Sequence, residues 1–147
     1  MKTRGHVITP TQVPVYQAPP PLLRRIQILV DRGIGARKSQ AGMYTLLPGM
    51  KTKADIHPRE EEIYYVVKGR GRLVLDRKVY HVKPKDVIWF PPGVRHQSFN
   101  TGSEDLVYFW VLSPPPRGKY VHIHIRESWK QWKAPGSRRK HARTSER

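Results

Sequence analysis

Apolar residues in this chain come in runs of five to eight, and glycine, proline or charged pairs cut every run. The runs are IQILV at 26–30, MYTLL at 43–47, IYYVVK at 63–68, GRLVLD at 71–76, KVYHV at 78–82, DVIWF at 86–90, VRHQSFN at 94–100, DLVYFWVL at 105–112 and YVHIHI at 120–125. β-Branched and aromatic residues dominate them, and they recur at roughly 8–12-residue spacing, which predicts an all-β sandwich, jelly roll or barrel. No ten-residue stretch with helical period precedes residue 125. The segment ESWKQWK at 127–133 reads as one short helix with Trp129 and Trp132 on a common face.

The 147 residues suggest one domain able to bury a core without disulfides. The reading divides the chain into a Pro-rich N-terminal arm at 1–21, a β-barrel at 22–125 and a basic C-terminal extension at 126–147. There is no cysteine, which removes disulfides, thiolate nucleophiles and Cys-type metal sites and fits a reducing cytosol. The N-terminus has no continuous apolar stretch of the kind a secretory signal needs, so a cytoplasmic location is expected. No run approaches the ~18 apolar residues of a membrane span. The formal charge is +17, and residues 117–147 hold ten Lys+Arg against two Glu. So little apolar content at the end of the chain reads as a solvated tail. Its functional alternative is a weak anchor for nucleic acid or lipid phosphate.

Two stretches carry the chemistry: GMKTKADIHPREEEIYYVVKG at 49–69 and KDVIWFPPGVRHQSFN at 85–100. The first brings Asp55, His57 and Glu62, the second His96. Asp55 and His57 are two apart and can face one side of a strand together. Alone, His57 reads as a turn histidine beside Pro58, Glu62 as part of an acidic run and His96 as a core histidine. Together, two imidazoles and one carboxylate have the composition of a metal site with open positions. Asp55 is a further ligand, a general base or a structural survivor of a degraded site. Tyr64 lies two residues beyond Glu62 and points into the same cavity, as Ser98 and Asn100 follow His96. Trp89, Phe99, Tyr108 and Trp110 are candidates for core or pocket wall, with Trp110 the first choice for the pocket. His122 and His124 share one strand face and read as solvated.

The spacings resemble the cupin superfamily. Its first motif, G-x5-H-x-H-x3or4-E-x6-G, is matched from Gly49 through His57 and Glu62 to Gly69, with Asp55 in place of the first histidine. Its second, G-x5-P-x-G-x2-H-x3-N, is matched by Pro91, Gly93, His96 and Asn100, with Lys85 in place of the first glycine. The resemblance covers residues 40–112 and implies a double-stranded β-helix of jelly-roll type with one divalent transition metal (Fe, Mn, Ni or Zn) per chain. It implies a homodimer with arms crossing to the partner sheet. It also implies dioxygenase, decarboxylase or isomerase chemistry on a small organic acid, diketone, phenolic or sugar-derived substrate. There His57, Glu62 and His96 hold the metal, Asp55 ligates it or takes a proton, and Tyr64 donates to a developing oxyanion. A non-catalytic ligand-binding module and a nucleic-acid-associated accessory protein are the alternatives.

Overall fold

The computed structural model describes residues 4–117 and 122–136. Among them eleven strands form two antiparallel sheets, a double-stranded β-helix. The larger sheet has the order β11 (Lys130–Trp132), β1 (Val15–Gln17), β2 (Arg24–Val30), β3 (Gln40–Leu46), β10 (Leu106–Ser113), β5 (Glu61–Lys68) and β8 (Val87–Phe90). The smaller has β4 (Asp55–Ile56), β9 (Arg95–Asn100), β6 (Gly71–Leu75) and β7 (Lys78–Val82).

Alternation along each strand decides what the sheets enclose. On β10, Leu106, Tyr108, Trp110 and Leu112 point inward and are buried, while the residues between them are half-buried. Leu46, Val66, Leu73 and Phe90 complete the centre of the core. Each such side chain contributes about 1.5–3 kcal/mol on leaving water. The same alternation corrects two aromatic assignments. Phe90 points in, so Trp89 points out and is 58% exposed. Phe99 likewise lies outside, under the Arg72 guanidinium at 4.3 Å.

Gly42 on β3 stands opposite Trp110 on β10. A side chain at this position would run into the Gln27 carbonyl and the Trp110 ring, so glycine is what lets both come this close to β3.

The two ends of the chain differ from the sequence reading. Within the Pro-rich arm, Val15–Gln17 forms a strand between β2 and β11 of its own chain. The Gln27 side-chain amide donates to the Pro10 and Val13 carbonyls and pins the arm there. The backbone thus finds partners in cis, where the sequence reading sends it to a partner sheet. The last candidate strand and the short helix exchange places. His122–Ser128 forms helix α1, and Lys130–Trp132 is a strand paired with β1. The HIHI alternation reads as a strand, but Ile125 and Trp129 are four apart, and the Trp129 N–H donates to the Ile125 carbonyl at 2.9 Å. Ile125 is buried, and Arg126 pairs with Asp31 at 2.8 Å, so tertiary contacts override the local pattern. Trp132 lies under the Arg25 guanidinium at 4.0 Å. Residues 120 and 121, the side chains of His122 and His124, and the basic end from 137 onward lie outside the described residues.

Lys85, the departure from the second motif's first glycine, has φ 77°. A left-handed conformation costs an L-residue about 1–2 kcal/mol, against about 0.5–1 kcal/mol of extra unfolded-chain entropy for glycine. Lys85→Gly is therefore expected to stabilise the fold by up to about 1.5 kcal/mol. A rise in the urea midpoint at constant slope checks this; an unchanged or lower midpoint contradicts it.

Candidate metal centre

Three side chains converge between the sheets. Glu62 enters from β5, His96 from β9, and His57 from the loop between β4 and β5. The Gly93 N–H donates to the His57 carbonyl at 2.8 Å and ties the Pro-Pro-Gly turn before His96 to the loop that holds His57. It is one of several bonds between the two motifs; the Thr52 N–H donates to the Ser98 carbonyl and the Lys85 N–H to the Val66 carbonyl as well.

Glu62 Oε2 lies 3.4 Å from His57 Nε2 and 3.3 Å from His96 Nε2. Donors about 2.1 Å from one ion stand about 3.4 Å apart at the tetrahedral angle and about 3.0 Å apart at 90°. The spacing therefore fits a shared cation. Glu62 Oε2 is buried and makes no hydrogen bond of acceptable geometry, and such an oxygen is costly unless something else neutralises it. His96 Nδ1 lies 3.1 Å from the Val94 carbonyl. A carbonyl only accepts, so Nδ1 carries the proton and Nε2 keeps its lone pair for an ion. Among the described residues, His57, Glu62 and His96 are the group whose ligand atoms all fall within 4.8 Å of one another.

The electrostatics are those of a poised triad. Burial alone pushes the Glu62 carboxyl up, but the His57 and His96 imidazoles beside it outweigh this and hold the group below its ordinary value. The Glu62 carboxylate beside it raises His57, against the effect of its own burial, and the charges of Asp55 and Glu60 add to the rise.

Asp55 stands apart from the triad. It is paired across β4 and β9 with His96, but its side chain is 63% exposed and its Oδ2 lies 3.9 Å from His57 Nε2. Its Oδ1 accepts the Ile56 N–H. It lines the mouth of the cavity rather than its floor.

That cavity measures about 170 Å³ and holds the triad, Tyr64, Ser98 and Trp110 in its wall. The Tyr64 ring sits 4.7 Å from Phe90 and 4.8 Å from Tyr108. Burial pushes its hydroxyl well above the ordinary phenol range, and the Glu62 charge adds to this. Ser98 Oγ bonds the Tyr108 hydroxyl at 2.8 Å. Asn100 is placed elsewhere: its amide donates to the Leu46 and Glu104 carbonyls and its oxygen accepts from Gly102. Asn100 clasps loops behind the site because its strand position lies one pair deeper than Ser98.

The sequence reading missed Arg24, Tyr44 and Thr52, put Ile125 on a last barrel strand and placed Trp129 outside the barrel, yet all five line the cavity. A signal for Arg24 existed: it is two residues before the buried Ile26 and so shares its inward face. No such signal existed for Ile125 and Trp129, which reach the mouth only because α1 folds over it.

Residues 42–112 match the family described as Cupin domain. An uncharacterized protein of Methanocaldococcus jannaschii is 39% identical over 46% of this chain, and the match spans about half, 54%, of that relative's length. An uncharacterized protein of Streptomyces coelicolor is 34% identical over 54% of this chain and 73% of its own. The crystal structure of a predicted oxalate decarboxylase from Thermotoga maritima superposes with a TM-score of 0.65 at 22% identity, covering 75% of this chain and 100% of that one.

Proposed function

The chain belongs to the cupin superfamily, and on that premise we propose that it is a metal-dependent enzyme acting on a small organic acid or sugar-derived substrate. The observation that carries this reading is Glu62 Oε2, buried, without a hydrogen bond, and facing two imidazole nitrogens at 3.3–3.4 Å. His57, Glu62 and His96 would hold a divalent Fe, Mn, Ni or Zn ion, with chemistry of the decarboxylase, isomerase or dioxygenase type. Such an ion supplies Lewis acidity and a template for substrate oxygens. Tyr64, kept protonated by its burial, donates its O–H to oxyanion charge as it develops. Asp55, exposed at the mouth, accepts a proton at Oδ2. Trp110 and Leu112 keep the inner wall dry. Elemental analysis of the purified full chain tests the reading. Close to one first-row transition ion per chain is expected, and His96→Ala should remove it. Protein that is metal-free and takes up none of Fe, Mn, Ni or Zn on titration sinks the proposal.

The partner proposed for this chain is a second copy, with the assembly in the cytosol that its cysteine-free composition suits. Ile63 pairs with Trp89 and Tyr65 with Val87 across β5 and β8, and all four are exposed on one outer face. β8 is also the edge of the larger sheet, so the apolar face and an unpaired strand edge coincide. A dimer at micromolar concentration is expected by light scattering, with Trp89→Glu shifting it to monomer. A native chain that is monomeric under those conditions contradicts this.

A further inference from the structure

Arg24 opens β2 with its side chain on the same inward face as Ile26, in the wall of the cavity that holds the triad. Its Nη1 donates to the Tyr44 hydroxyl at 3.4 Å, a long bond. Its guanidinium carbon stands 5.2 Å from the Trp129 ring centroid and 6.0 Å from that of Tyr44. Its Nε is buried and has no hydrogen-bond partner. Among the described residues no carboxylate comes within ion-pair distance of it, although Arg25 next door pairs with Asp105 and Arg126 with Asp31. Tyr44 does not neutralise it, because burial raises the Tyr44 hydroxyl and keeps it a neutral phenol. Glu62 faces the two histidines.

A guanidinium held between two aromatic rings, partly desolvated and without a counter-ion, is an unfavourable arrangement by itself. Its planar fork is matched by an oxyanion, which takes two parallel N–H bonds at once. We propose that Arg24 is the anchor for an anionic group, carboxylate or phosphate, of the substrate, whose reacting end lies toward His57, Glu62 and His96. The substrate is thus a small organic anion rather than a neutral diketone or phenol. This deepens the metal-dependent reading and rests on it only for the position of the reacting end. Trp129, contributed by the C-terminal segment that folds over the mouth, forms the outer wall of the anion subsite.

The test is thermal melting and titration calorimetry of the full chain as purified, with its metal content measured on the same sample. The probes are malonate, inorganic phosphate and the neutral malonamide. The native chain should bind malonate or phosphate, whichever matches the substrate group, and be stabilised by it. Malonamide should do neither. Arg24→Met should weaken that binding at least tenfold, with metal content unchanged. In the absence of anion it should melt at or above the native temperature, because an unpaired buried charge is gone; a residue with only a structural role would lower it. Arg24→Lys, which keeps the charge and loses the fork, should fall between. Equal binding of malonamide, unchanged anion affinity in Arg24→Met, or no anion binding by native chain at millimolar concentration overturns the proposal. If Arg24→Met fails to fold, the native chain's preference among the three probes decides the matter. An empty metal site with Arg24-dependent anion binding would instead refute the metal reading and leave this subsite standing.

Discussion

Glu62→Gln is expected to lower metal affinity by more than about 100-fold while leaving the barrel folded. Residues that only orient metal ligands already account for about 10–100-fold, and Glu62 supplies an oxygen directly between two imidazoles. The amide keeps the shape and removes the anion. The same substitution removes the carboxylate that raises His57, so His57 should titrate lower, which NMR reads without any metal. Acidity should act through the same residues. His57 must be neutral to coordinate, so metal occupancy falls as pH drops through its raised pKa. In the metal-free chain the linkage runs the other way. The raised His57 gives stability that is full below its unfolded value of 6.5 and is lost as pH rises through the folded value. The lowered Glu62 gives stability present above its unfolded value of 4.5 and lost as pH falls through the folded value. The melting temperatures of loaded and chelator-treated chain should therefore diverge from pH 5 to pH 8. Curves that stay parallel would place His57 outside the metal site.

Asp55→Asn is expected to keep the metal and lose turnover by about 10²–10⁴-fold, the usual range for removing a general base. The basis is position. Asp55 is 63% exposed and 3.9 Å from His57 Nε2, outside the buried group of three, yet it lines the same cavity. The amide occupies the same space and takes no proton. Oxygen uptake and carbon dioxide release over a panel of small organic acids, read beside metal content, measure both quantities. Loss of the metal in Asp55→Asn would make Asp55 a ligand. Unchanged metal and unchanged turnover would leave it neither. Asp55→His, which restores the family pattern, should keep an ion and shift preference toward Ni(II) or Cu(II).

Much of the fold was legible because apolar runs and the turns that cut them are local. DLVYFWVL at 105–112 stood out as the most apolar strand, but every position from 106 to 112 is apolar, and only the structure shows that Leu106, Tyr108, Trp110 and Leu112 form its inward face. His57, Glu62 and His96 stood out because turn residues at fixed offsets, Pro58 and Pro91-Pro92-Gly93, set their distance from strand ends. Other features had no local signal. Trp89 and Phe90 are adjacent and both aromatic, and only the pairing of β8 with β5 tells which faces water. Asn100 follows His96 and Ser98 on one face, but depth along the strand turned it from pocket to clasp. The C-terminal segment read backwards, helix for strand and strand for helix, because docking of Ile125 and pairing with β1 outweigh seven residues of weak propensity.

By itself the sequence determined the all-β class, the two motifs and the donor types of the candidate metal centre, since each depends on short-range periodicity or turn chemistry. Only the tertiary structure decided three further things: that Asp55 stands off while His57, Glu62 and His96 close to 3.3–3.4 Å, that Arg24 shares their cavity, and that Trp129 returns across its mouth. Arg24 and Trp129 are separated by most of the chain and meet because β1 pairs with both β2 and β11, a long-range arrangement that brings Trp129, just before β11, back to the start of β2. Spacing along a strand sets which way a side chain points; what it then meets is set by partners that local sequence does not specify.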